Sequence, residues 1–129
     1  MSGVLEKRLT ILIVEDDAEL RRLYRTTLTL AGYEVEEAAD GLDALRRMEA
    51  RKSDLVVLDI GLPALSGLAV HQEITAHAYT RHVPVVVVTG TTMNLDHLDV
   101  RCVLRKPVEP DELLKTIRSC LAAGAPDMS

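Results

Sequence analysis

Leu55-Val56-Val57-Leu58 is a run of four apolar residues that closes on a carboxylate, Asp59. A strand with one wet face alternates apolar and polar residues. An unbroken short run rich in valine instead fits a strand covered on both faces, as in a parallel sheet packed between helices. Val83 to Val88, interrupted only by Pro84, reads the same way, and these two are the predicted central strands. Working outward, Leu9 to Val14, Tyr33 to Glu37 and Val100 to Leu104 complete a set of five. Glu34, Glu36 and Glu37 in the second run, and Arg101 and Arg105 around the fifth, suit the edges of the sheet.

Helical patterns fill the gaps. Leu20, Leu23, Tyr24, Thr27, Leu28 and Ala31 recur at helical spacing and stop at Gly32, a residue that ends helices readily. Leu42, Leu45 and Met48 predict a second helix and Leu68 to Ala78 a third. Leu113, Leu114, Ile117, Cys120 and Leu121 predict a last one after Pro110-Asp111. Strand and helix alternate, which predicts a doubly wound α/β domain: an open five-stranded parallel sheet with helices on both faces. Its functional residues are expected at the carboxyl ends of the strands. Residues 8–122 are expected to form this one domain, with 1–7 as an N-terminal extension and 123–129 as a frayed tail.

Composition narrows the function. Hydrophobic residues make up 47% of the chain, enough for a core, but with no Phe or Trp that core must be aliphatic. A net charge of −5 without a basic block argues against direct contact with nucleic acid. Cys102 and Cys120 have neither metal-ligand nor disulfide-framework spacing, and a reducing compartment is expected. No stretch approaches the roughly 18 apolar residues of a membrane span, nor is there a leader, so the expected location is the cytoplasm.

The strand-end rule collects a chemically coherent set: Glu15-Asp16-Asp17 after the first strand, Asp59 after the third, Thr89 after the fourth and Lys106 after the fifth. Taken singly, each has a plain structural reading. The acidic triplet resembles a helix cap, Asp59 and Thr89-Gly90 strand exits, and Lys106 is uninformative. Together, clustered carboxylates repel one another unless a hard divalent cation sits among them. Mg²⁺ is the natural candidate, with Asp16, Asp59 and phosphoryl oxygens as ligands. Lys106 then supplies an ammonium, Thr89 a hydroxyl donor, and Asp59 remains as the nucleophile for phosphoryl transfer.

Over residues 8 to 122 the chain resembles the receiver domain of two-component response regulators. The resemblance rests on Ile11-Leu12-Ile13-Val14-Glu15-Asp16-Asp17, on Leu58-Asp59 followed by Pro63 and Gly67, on Val88-Thr89 and on Lys106-Pro107. It implies the flavodoxin-like strand order 2-1-3-4-5, Glu15 and Asp16 as the acidic pair, Asp17 as a neighbour free to cap the first helix, and the carbonyl of Gly61 as a further metal ligand. It also implies a cis Lys106-Pro107 bond. The implied phosphoryl donor is a phosphohistidine on a sensor histidine kinase or a histidine phosphotransfer protein, and the protein would act as a switch that catalyses only its own phosphorylation and dephosphorylation.

Three departures stand out. Val103 occupies the place where the family carries an aromatic residue three positions before the lysine. The segment from Thr89 to Lys106 is short, and Gly90-Thr91-Thr92-Met93-Asn94 forms helix poorly, so the fourth helix is expected to be shortened or missing. Output is then expected to use another surface or loop ordering. Gly61 and Thr91 flank the expected path of water to the phosphoryl group, and neither is charged, which predicts no unusually fast self-dephosphorylation.

Two other functions compete. An aspartyl phosphohydrolase is expected to place its nucleophile after the first strand within a D-x-D, and to carry a cap; neither is visible. A phosphorylation-independent interaction module on the same fold has no reason to keep Glu15, Asp16, Asp59, Thr89 and Lys106 together, yet the altered output segment keeps that alternative open. No effector domain is read after Leu121, so output is expected through an unknown downstream protein, through assembly such as a homodimer, or by drawing phosphoryl groups from a kinase. His71, His77, His82 and His97 share no ligand spacing. Arg21, Arg22, Arg46, Arg47 and Arg51 read as solvated helix faces.

Overall fold

A computed structural model describes residues 8–62, 66–77, 80–90 and 102–123. The expectations for 1–7, Pro63, Ala78, Thr91, His97 and the tail after Ala123 fall outside the described residues, as does the expectation of a shortened or missing fourth helix in 91–101.

In chain order the elements are β1 (Thr10–Val14), α1 (Ala18–Leu30), β2 (Glu34–Ala38), α2 (Gly41–Ala50), β3 (Leu55–Asp59), α3 (Gly67–Ala76), β4 (Val85–Thr89), β5 (Cys102–Arg105) and α4 (Pro110–Ala123). The five strands form one parallel sheet in the order β2-β1-β3-β4-β5, so the two polar strands are the edges and the apolar runs the centre. Because side chains alternate across a strand, each central strand feeds two cores. Ile11, Ile13, Leu55, Val57, Val86 and Val88 face α1 and α4, where they meet Tyr24, Leu28, Leu113 and Ile117. Leu12, Val14, Val56 and Leu58 face α2 and α3, where they meet Ala44, Met48, Val70 and Ile74. Each fully buried Leu or Ile contributes roughly 1.5–3 kcal/mol of transfer free energy, so these two layers dominate the stability.

Local sequence explains the helix ends. Asp17 caps α1 by accepting hydrogen bonds from the amides of Glu19 and Leu20. At the other end Gly32 adopts φ +98°, its amide bonds to Thr29 O, and Tyr33 N reaches Leu28 O at 3.1 Å. This 6→1 and 5→2 pair needs a residue free to enter the left-handed region, and it brings Tyr33 against the core beside Leu28. Ser66 caps α3 and Asp40 caps α2.

The strand boundaries are shifted by one or two residues from the apolar runs. Tyr33 lies outside β2 and Val83 outside β4, because Val83 N is used in a turn to Thr80 O and Pro84 has no amide to give to the ladder. The ladders instead run on into Asp59, Thr89 and Arg105. Two helical stripes are narrower than expected. Leu23 is exposed on α1, and on α2 the buried residues are Gly41, Ala44 and Met48, leaving Leu42 exposed and Leu45 half-buried.

Candidate phosphoacceptor site

The register of the sheet assembles the site. Val14 lies opposite Leu58, which sets Glu15 beside Asp59 one step further on, and Asp59 lies opposite Val88, next to Thr89. Thr89 pairs with Arg105, and Lys106 N then donates to Thr89 O at 2.8 Å. Glu15, Asp59, Thr89 and Lys106 therefore sit at one rim because each is the last residue of a parallel strand or the one just beyond it.

Carboxylate oxygens of Glu15, Asp16 and Asp59 lie within 4.8 Å of one another. Glu15 and Asp59 are buried and Asp16 is exposed. Lys106 Nζ donates to Asp59 Oδ2 at 3.4 Å and lies 3.2 Å from Glu15 Oε1. The second contact is an ion pair without hydrogen-bond geometry, so Glu15 Oε1 is a buried oxygen that accepts no hydrogen bond. Asp59 Oδ1 accepts the Gly61 amide at 2.9 Å, and Glu15 Oε2 accepts the Asp17 amide at 3.1 Å. Thr89 is buried at the tip of β4, and Gly61 is exposed beside Asp59.

Burial raises Glu15 to about 7; the Asp17 amide opposes this, the negative charge of Asp59 adds to it, and Lys106 opposes it. Burial on its own would lower Lys106, but Glu15 and Asp59 outweigh it and raise the ammonium above its ordinary value. Burial also pushes the Tyr24 hydroxyl, close enough to feel Glu15 and Lys106, up to about 12. One ammonium cannot neutralise three carboxylates. The donor set fits a hard divalent cation: all oxygens, one of them buried without a hydrogen bond, and one ligand side chain open to water.

Gly67 lies against the end of β3. Gly67 N donates to Ile60 O at 3.1 Å, and a β-carbon at Gly67 would collide with the backbone of Asp59 and Ile60. The Lys106-Pro107 bond is cis, as the resemblance implied. Val103 lies half-exposed on β5. His71 is buried in α3, and His77, which follows the end of that helix, lies 3.3 Å from Glu73.

Of the five arginines expected to be solvated, Arg21 departs from the sequence reading. Arg21 is not a solvated helix residue: its Nη1 donates to the carbonyl of Glu15 at 2.8 Å and its Nε to Glu37 Oε1 at 3.2 Å. Arg47 and Arg51 are more exposed, yet both pair with glutamates of β2. The signal for Arg21 was its place six residues after Glu15, about one turn into a helix whose side chains lean back toward its start.

A five-stranded doubly wound sheet with an acidic cluster, a hydroxyl and a lysine at its carboxyl rim defines the class of a phosphoacceptor signalling domain. Comparison with known proteins identifies the family: residues 11–118 match the model of the response regulator receiver domain, and the chain belongs to that family. It is 32% identical over 117 residues to the polar-differentiation response regulator DivK of Brucella anthropi, covering 87% of this chain and 95% of that one. The chemotaxis protein CheY4 of Vibrio cholerae superposes with a TM-score of 0.83 at 28% identity, over 88% of this chain and 99% of that one. The receiver domain of a sensor histidine kinase from Pseudomonas aeruginosa PAO1, whose structure has a magnesium ion coordinated in the active-site cleft, gives 0.79 at 28% identity, over 90% and 99%. The chain is thus a receiver domain of two-component signalling, a family whose domains work with histidine kinases and downstream proteins. Among the described residues no helix is long and apolar enough to cross a membrane.

Proposed function

We propose that Asp59 accepts a phosphoryl group from the phosphohistidine of a sensor kinase or phosphotransfer protein, at a site where Glu15, Asp16, Asp59 and the carbonyl of Gly61 hold Mg²⁺. The observation that carries this reading is the convergence of three carboxylates within 4.8 Å on a lysine 3.4 Å from Asp59. The Gly61 amide fixes one oxygen of Asp59, so the carboxylate is oriented before any donor arrives. A carboxylate oxygen attacks phosphorus, the phosphorus–nitrogen bond breaks, and its electron pair returns to the imidazole of the donor. Lys106 follows the negative charge from Asp59 to the phosphoryl oxygens, and the Thr89 hydroxyl donates to one of them. Bound Mg²⁺ would neutralise charge on the transferring group.

The output is a protein partner or an assembly of copies in the cytoplasm, selected by the phosphorylated state. A phosphorylation-independent interaction module is the second reading. It is favoured by Val103, a small half-exposed side chain where the family carries an aromatic.

One assay separates the two readings: incubation with Mg²⁺ and acetyl phosphate, followed by intact mass. The wild type is expected to gain one phosphoryl group, stable in acid and released by hydroxylamine, and Asp59→Ala to gain none. A wild type that stays unmodified, or an Asp59→Ala variant modified equally, would overturn the proposal.

A further inference from the structure

The turn that carries the acidic pair is held at three backbone positions. Glu15 N donates to Ala38 O at 3.1 Å, Asp17 N donates to Glu15 Oε2 at 3.1 Å, and Glu15 O accepts from Arg21 Nη1 at 2.8 Å. The last contact decides most about Asp16, because the carbonyl of Glu15 belongs to the peptide plane from which Asp16 departs. Asp16 itself is exposed and, among the described residues, receives no hydrogen bond that would steer its carboxylate. Its direction therefore depends on that plane. Arg21 is braced in turn, since its Nε donates to Glu37 Oε1 on β2. Its side chain is only 21% exposed, against 61% for Arg25, which also pairs with Glu37 but is not bonded to Glu15.

We propose that Arg21 is a positioning residue for the acidic site, gripping the Glu15–Asp16 peptide with one arm of its guanidinium and edge strand β2 with the other. The inference rests on the function proposed above, in which that turn holds Mg²⁺. The fork is essential to it: a guanidinium can bind two acceptors in fixed directions, whereas an ammonium on a flexible stem cannot. A charge-only role makes the opposite prediction. Arg21 is a cation beside a cation site, so by repulsion alone its removal should tighten Mg²⁺ binding. If it acts by holding the turn, its removal loosens binding, by about 10-fold at the low end of what loss of a ligand-orienting hydrogen bond costs in metal sites.

The experiment is Mg²⁺ titration by calorimetry on wild type, Arg21→Gln, Arg21→Lys and Arg25→Gln, with amide exchange of Asp16 and Asp17 followed in chelator. Expected are about 10-fold weaker Mg²⁺ binding and faster exchange in Arg21→Gln, little rescue by Arg21→Lys, and binding within about twofold of wild type in Arg25→Gln. Should Arg21→Gln fail to fold, Glu37→Gln weakens the brace together with the Arg25 pair, for which Arg25→Gln is the control, and is expected to weaken binding by about threefold, a smaller loss of the same kind. Wild-type affinity or tighter binding in Arg21→Gln, or in Glu37→Gln if that variant must stand in, overturns the inference alone. A wild type that binds no Mg²⁺ overturns the function proposed above and takes this inference with it.

Discussion

Two groups of three carboxylates lie on this sheet, and they are treated in opposite ways. On β2, Glu34, Glu36 and Glu37 are met by Arg21, Arg25, Arg47 and Arg51, reaching over from the helices on both faces. At the carboxyl rim, Glu15, Asp16 and Asp59 meet Lys106, and two of the three are buried. The edge group is neutralised in water and serves to cover an unpaired strand. The rim group buries two carboxylates beside a single ammonium, which costs stability and fits a site that a cation and a phosphoryl group would complete. An uncompensated cluster, rather than a dense one, marks the functional site.

The contrast can be broken most sharply at Lys106. Lys106→Ala leaves Glu15 and Asp59 without their ammonium, and phosphoryl uptake from acetyl phosphate is expected to fall on the order of 100-fold. Arg47→Ala at the edge is expected to leave it unchanged. Uptake by Lys106→Ala within a few-fold of wild type would put the two clusters in the same class.

Proton linkage gives a smaller effect. Glu15 takes up its proton at about 7 in the folded chain against an ordinary value of 4.5. Between those values the folded state holds a proton that the unfolded state has released. The stabilisation is thus present at the acidic end and is lost as pH rises through about 7. In chelator, the urea midpoint should decline across that window, the part of the slope due to Glu15 should vanish in Glu15→Gln, and saturating Mg²⁺ should flatten it by displacing the proton. A wild-type slope identical to that of Glu15→Gln would contradict the assignment.

The smallest effect is expected at the edge. Glu36→Gln removes an acceptor shared by Arg47 and Arg51. It should cost under about 1 kcal/mol in urea unfolding at low salt, and almost nothing near 1 M salt, where exposed charges are screened. A larger loss that persists in high salt would mean the edge is more than a solvated lattice.

The fold was legible because buried parallel strands write themselves as apolar runs: Leu55 to Leu58 and Val83 to Val88, of which Val85 to Val88 lie in β4, needed no partner to be recognised. The site was legible for a related reason, since polar residues that break off such runs must lie at one rim. The boundaries were less so, because a ladder extends into Asp59 and Thr89 by backbone bonding that ignores side-chain polarity. Arg21 escaped because a helical wheel records the face of a residue but not how far a long side chain reaches toward the start of its helix. The raised proton affinity of Glu15 also depends on burial and on Asp59, neither visible from the neighbours of Glu15 along the chain.

Gly67 carries a consequence for how mutations here would be inherited. The peptide bearing the proposed phosphoacceptor rests against a position that has no room for a methyl group, so even the mildest replacement, alanine, must displace the main chain that aims Asp59. A vacancy at the start of α3 is thus as much a part of the acceptor as its carboxylate, and a genetic screen should find loss-of-response alleles at a residue that contributes no side-chain atoms to the reaction.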